Sequence, residues 1–182
     1  MAGIVHVALL RGVNVGGKHR LPMRDLAEMF RDAGCADVRT YIQSGNVVFA
    51  AGAALARRVP GIVGDAIERR FGFDTPLVIR TAGELAEIVR RNPFVKAGAD
   101  PATLHVAFLR DRPGRAQIAA LDPGVSPPDE FRVNGREVYL RCPNGVGRSK
   151  LTAPYFDTRL KTVSTARNWR TVLALLDMAG GR

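Results

Sequence analysis

Residue types that usually announce chemistry are scarce in this chain. Two cysteines in 182 residues cannot build a disulfide framework, and no Cys-x-x-Cys or Cys/His cluster offers a zinc site. Both thiols are therefore expected to stay reduced, and neither metal nor cofactor is expected. The three histidines, His6, His19 and His105, stand at no spacing that names a general base. Ser44 and Ser149 likewise lack the histidine and carboxylate partners of a nucleophilic triad. Aromatic residues make up 7% of the chain, and Tyr41, Phe49 and Tyr139 do not fall at the spacing of an RNA-recognition sheet. A membrane-spanning run is also missing. The apolar stretch Ile4 to Leu10 is too short, carries His6 and flows into a glycine-rich loop, so it reads as a core strand rather than a signal segment. No membrane partner and a cytoplasmic location are expected. The last shortage is acidic: 17 Asp and Glu face 27 Lys and Arg, giving a net charge of +10.

A field of that sign raises both encounter rate and affinity for anions, so acidic or phosphorylated partners are favoured. Part of the excess has a plainer origin. Arg57, Arg58, Arg69, Arg70, Arg90 and Arg91 occur as pairs in helical segments and read as solvated surface charge. With 46% hydrophobic residues the chain can bury a proper core.

Hydrophobic period and breakers predict a repeating order. Ile4 to Leu10 reads as a strand and Pro22 to Ala33 as a helix. Short strands Val38 to Ile42 and Val47 to Ala50 flank the turn Gln43-Ser44-Gly45-Asn46. A helix Leu55 to Phe71, irregular at Pro60-Gly61, and a strand Leu77 to Thr81 complete the set. After the helix Ala82 to Arg91 and an Ala/Gly/Asp/Pro stretch at 97–101, the order restarts. It runs through a strand Leu104 to Leu109, a helix Pro113 to Leu121, and a hairpin of Phe131 to Val133 with Glu137 to Cys142. Asn134-Gly135 there predicts a type I′ turn. A helix Pro154 to Leu160, a strand Thr162 to Thr165 and a helix Arg167 to Met178 with the stripe Val172, Leu173, Leu175 and Leu176 follow. The expectation is an α+β fold of two ferredoxin-like (split βαβ) units in tandem, an architectural duplication. Its divisions are 1–81 for the first unit, 82–103 for a helical connector and 104–182 for the second.

Two loops of one character stand out. Leu10 to Arg20 crowds Gly12, Gly16 and Gly17 with Arg11, Asn14, Lys18, His19 and Arg20; Cys142 to Lys150 places Asn144, Arg148, Ser149 and Lys150 around Gly145 and Gly147. Glycine lets backbone N–H groups approach a phosphate closely, and the cations supply counter-charge. Gly12 to Lys18 also satisfies G-x-x-x-x-G-K after a strand, the opening of a Walker A loop. It departs at His19, where Ser or Thr would hold magnesium, and at Leu21-Pro22, which delays the helix. A tight turn, in which the glycines serve the backbone alone, explains the same string. Cys142 beside the basic loop reads either as a thiol of lowered pKa or as a small core residue.

ALLRGVNVGGK, YIQSGNVVF, VYLRCPNGVGRSKL and TARNWRTV, together with Arg80-Thr81 and Asn92-Pro93-Phe94, make the chain resemble a mostly bacterial family known only as a domain of unknown function. The resemblance covers practically the whole chain. It implies a two-part α/β fold with ferredoxin-like halves, and it brings no activity or catalytic residue. Within these strings Arg11, Asn14, Lys18, Gln43, Ser44 and Asn46, and farther along Asn144, Arg148, Lys150, Arg167 and Asn168, fall at strand ends and loop tips, where a scaffold presents ligand groups. They are expected to converge on one basic cleft for a phosphate-bearing ligand, nucleic acid being the favoured instance. The alternatives are an enzyme acting on a phosphorylated small molecule and an interaction domain without a ligand.

Overall fold

The computed structural model describes residues 3–180. Strand β1 (Ile4–Leu10) is followed by α1 (Met23–Asp32), β2 (Ala36–Tyr41), β3 (Asn46–Ala51), α2 (Ala53–Phe71) and β4 (Leu77–Thr81). These strands form one antiparallel sheet in the order β2-β3-β1-β4. The succession then recurs after α3 (Ala82–Arg91) and α4 (Pro93–Lys96), with β5 (Leu104–Leu109), α5 (Arg115–Ala119), β6 (Glu130–Asn134), β7 (Glu137–Arg141), α6 (Ala153–Leu160) and β8 (Ser164–Asn168), before the closing α7 (Trp169–Met178). The second sheet, β6-β7-β5-β8, is antiparallel in the corresponding order. The fold is thus α+β with two four-stranded antiparallel sheets.

Two compact units divide the chain, one running to Ala86 and taking in the segment from Leu175, the other spanning Glu87 to Ala174. The stretch read as a connector is shared between them, because α3 crosses the division at Ala86.

In the first unit, Leu26, Ala27, Met29 and Phe30 on α1 and Ala56, Val59, Val63 and Ile67 on α2 recur at helical spacing. They bury against Ala8, Leu10, Val47 and Phe49 of the sheet. Each Val, Leu, Ile, Met or Phe among them removed from water contributes about 1.5–3 kcal/mol. The opposite sheet face, with Val7, Leu9 and Val48, is buried as well, so β3 is covered along its whole length and its sequence does not alternate. In the second unit Ala107, Leu109, Val138 and Leu140 pack with Leu121, Leu151, Phe156 and Leu160.

Several expected boundaries move. Helix α2 begins at Ala53 and passes through Pro60 without interruption; fully buried Val59 and Val63 hold the helix on either side of the missing N–H. In the second hairpin Asn134 pairs with Glu137, so the two-residue loop is Gly135-Arg136. Positive φ is needed there at Gly135 (φ 66°), which fits a type II′ turn rather than type I′. Strand β8 extends to Asn168 and includes Arg167, polar residues that made this stretch read as a helix start. Leu173, placed in the apolar stripe of α7, is 42% exposed, whereas Val172 and Leu175 are buried.

Candidate functional site

Leu10, at the end of β1, leads into the first glycine loop. Lys18 N donates to Val15 O and Asn14 N to His19 O, both at 3.1 Å, and Val15 bridges Lys18 in antiparallel fashion. Gly16 (φ 59°) and Gly17 (φ 74°) fill the two central positions, the requirement of a type I′ turn. The loop is therefore a miniature β-ribbon with a glycine tip. Its glycines serve the turn, two of its amides are spent across the ribbon, and the next helix starts only at Met23, so the Walker A arrangement does not form.

Asn14 holds the base of this ribbon. Its Nδ2 donates to Leu21 O and Gln43 O at 2.8 Å, and its Oδ1 accepts from Leu21 N at 2.9 Å. The His19 ring stacks on Phe73 with centroids 4.5 Å apart, and Thr75 Oγ1 donates to Arg11 O. Asn14 thereby ties the ribbon to the β2–β3 turn, a contact between segments about thirty residues apart in the chain. Gly45 tightens the same contact, with Leu10 N donating to its carbonyl at 2.8 Å. A Cβ at Gly45 would stand 2.6 Å from Val13 Cγ2 and 2.7 Å from Leu10 Cβ, and its φ is 73°.

Between ribbon and turn lies an open cavity of about 390 Å³, lined by Asn14, Gly17, Arg20, Leu21, Pro22 and Gln43. Ile42, next to Gln43 in the chain, is a β-branched residue held at φ 47°, a strained left-handed conformation. Lys18 and Arg20 are exposed and pair with no carboxylate among the described residues. Asn46 is fully buried and donates to Tyr41 O and Ser44 Oγ, closing the turn from inside. Arg11, Asn14, Lys18, Gln43, Ser44 and Asn46 thus gather at one end of the first sheet, and Arg20 joins them. Sequence reading left Arg20 out of the site, although it ends the same cationic string.

The second set lies at the far end of its own sheet. Leu104, the first residue of β5, pairs with Arg141, and His105 pairs with Asn168. The loop after β7 and the end of β8 therefore meet the start of β5, whereas the ribbon follows the end of β1. The two glycine loops are not counterparts in topology. Asn144, Arg148 and Lys150 are exposed, and Lys150 N donates to Ser126 Oγ, which in turn donates to Asp129. Asn168 caps α7 by accepting from Thr171 N at 2.8 Å. Arg167 is buried; its Nη1 donates to Thr165 Oγ1 and to the carbonyl of Ala166. Loss of solvation lowers its pKa to about 10, which leaves it cationic at neutral pH.

Cys142 settles on the core reading. It is 1% exposed, and burial, reinforced by the charge of Asp129, pushes its thiol pKa up despite a hydrogen bond from Ser149. Both cysteines are free and buried. Tyr139 is buried with its hydroxyl donating to Ile88 O, and Phe49 is enclosed against His6 and Phe30, so neither offers a stacking platform for a base. Among the described residues no group of His, Cys, Asp and Glu is arranged to hold a metal, and no helix is long and apolar enough to cross a membrane.

With two sheets of this topology the molecule falls among α+β proteins. Residues 4–139 match the family described as protein of unknown function (DUF1697), and the chain belongs to that family. The structure of conserved bacterial protein SP0830 from Streptococcus pneumoniae is similar, with a TM-score of 0.71, 19% identity, and coverage of 97% of this chain and 98% of that one. At that identity the likeness concerns the fold. No curated protein matches.

Proposed function

We propose that the first unit is a binding module for a phosphate-bearing ligand, nucleic acid being the instance its charge favours, with the cavity between ribbon and turn as the site. The carrying observation is that Asn14 spends its amide on the scaffold, which fixes the two loops, while Lys18 and Arg20 beside them have no carboxylate partner. Some helix cations, by contrast, are held in ion pairs. Arg70 pairs with Asp25 and Glu28, and Arg90 and Arg91 pair with Glu87. Lys18 and Arg20 therefore supply a local attraction for an anion beside the cavity. Lys18, Arg20, Arg11 and the Gln43 side chain contact the ligand; Asn14, Ser44 and Asn46 hold the frame. In the second unit Asn144, Arg148 and Lys150 are surface contacts for an anion, and Arg167 and Asn168 build the strand end behind them. The βαββαβ order of each unit supports reading them as ferredoxin-like folds related by duplication. His6 and His105, like Arg80 and Arg167, occupy matching registers. A cytoplasmic setting fits the two free cysteines.

Fluorescence anisotropy with labelled single-stranded and duplex oligonucleotides tests the reading, alongside titration with inorganic phosphate. Nucleic-acid binding is expected to weaken by orders of magnitude as salt rises from about 50 to 200 mM, through counterion release. Saturation by inorganic phosphate with a shallow salt response would instead name a compact phosphorylated ligand at the same site. If Lys18→Ala with Arg20→Ala changes the binding of neither probe, the site is not an anion site and the reading fails.

A further inference from the structure

A larger cavity, of about 550 Å³, lies elsewhere in the first unit, at the bulge of edge strand β2. Ala36 pairs with Ala50 and Arg39 with Val48, so β2 carries one residue more than β3 over this interval. Asp37, at φ 51°, absorbs the extra residue. A bulge bends its strand, and the cavity sits at the bend, where Asp37 and Val38 both line it. Its floor is apolar. Val5 pairs with Ala50 on the neighbouring strands, and Val48 follows on the same face.

Two guanidinium groups stand at the rim. Arg39 Nη2 donates to Met178 O at 2.6 Å, in the last turn of α7, and is held by that bond. Arg31 lies in the last turn of α1, is exposed, and forms no ion pair among the described residues. Asp37 brings one negative charge to the same rim. We propose that this cavity binds an amphipathic monoanion, a small molecule with one carboxylate and an apolar body. The volume falls within the range of small-molecule sites, and an apolar lining with few polar groups is their usual composition. Arg31 receives the carboxylate, since a guanidinium fork matches two carboxylate oxygens. Asp37 disfavours a dianion, so phosphate monoesters are poor ligands here. This site is separate from the phosphate reading: Val5 and Leu10 are five residues apart on β1, roughly 16 Å at the rise of a strand.

Octanoate is a suitable probe, read by methyl NMR of the full chain. Shifts confined to Val5, Val38 and Val48 are expected, with octanol, of equal length but uncharged, binding about tenfold more weakly. Arg31→Ala, a change at an exposed position that leaves the methyl spectrum dispersed, is expected to bring octanoate down to the affinity of octanol. Ala50→Leu, which occupies the floor, is expected to abolish the shifts from both. The proposal is overturned if octanoate shifts no methyl in the cavity, if octanol binds as tightly as octanoate, or if octyl phosphate binds more tightly than either. None of these outcomes depends on Lys18 or Arg20, so this proposal and the phosphate reading can fail separately.

Discussion

Gly45 and Gly16 are both glycines at positive φ in turns beside one cavity, yet they do different work. At Gly16 nothing lies within 4 Å of a would-be Cβ, so Gly16→Ala meets only the left-handed backbone cost, about 1 kcal/mol. At Gly45 the same cost is joined by overlap with Val13 and Leu10, and Gly45→Ala is expected to lose about 3 kcal/mol in urea unfolding. Asn14 can be dissected in the same way. Asn14→Gly keeps the φ of 56° and removes three hydrogen bonds, for an expected loss of about 2–3 kcal/mol; Asn14→Ala should lose roughly a further 1 kcal/mol to strain. Burial raises the thiol pKa of Cys35 and of Cys142. A thiol raised in the folded state contributes stability below its unfolded value, about 8.5, and that contribution is lost as pH climbs through the folded value. Unfolding free energy should therefore fall above about pH 8.5, and Cys35→Ala with Cys142→Ala should flatten that fall in denaturant titrations. The string around Asn14 was visible in the sequence as polar loop chemistry. Its partners Leu21 and Gln43 were not, because a side-chain amide bonded to distant carbonyls leaves no periodic trace.

Elements bounded by hard breakers were legible end to end. Strands β1, β4 and β5 and helix α3 run where apolar period and flanking Gly or Pro place them. Misreadings arose where one residue of register decided the outcome. Asn134-Gly135 has the composition of a type I′ loop, but the pairing of Asn134 with Glu137 makes Asn134 the last strand residue. Asn134→Thr should accordingly leave stability within about 0.5 kcal/mol, whereas Gly135→Ala should cost about 1–2 kcal/mol, both by thermal unfolding. Strand β8 was cut short for a similar reason, since a buried arginine is not read as a strand residue from its type. Both β4 and β8 pass into a helix without an intervening loop, and a polar residue at each junction serves as the cap. Thr81 Oγ1 accepts from Glu84 N, and Asn168 Oδ1 accepts from Thr171 N. Asn168→Ala is expected to destabilise by about 1 kcal/mol. The bulge at Asp37 and the cavity beside it had no sequence signal, because a bulge is a mismatch between two strands and neither strand shows it alone.

Net charge describes the whole molecule, but the salt dependence of binding reports only the cations that touch the ligand. Log affinity against log salt should lose about 0.7–0.9 in slope for each phosphate contact removed. Lys18→Ala with Arg20→Ala is expected to reduce the slope for an oligonucleotide by nearly twice that amount. Arg90→Ala with Arg91→Ala, away from the cavity and both held by Glu87, should change it less. The division of the chain carries a different consequence. The first unit is built from residues up to Ala86 and from a segment beginning at Leu175, so no single cut yields both units intact. A fragment ending at Ala174 keeps Arg39 but lacks the Met178 carbonyl it binds. On the ribosome, the half that emerges first has to wait for the segment from Leu175 to be translated before it is whole, while the later half already has all of its own chain.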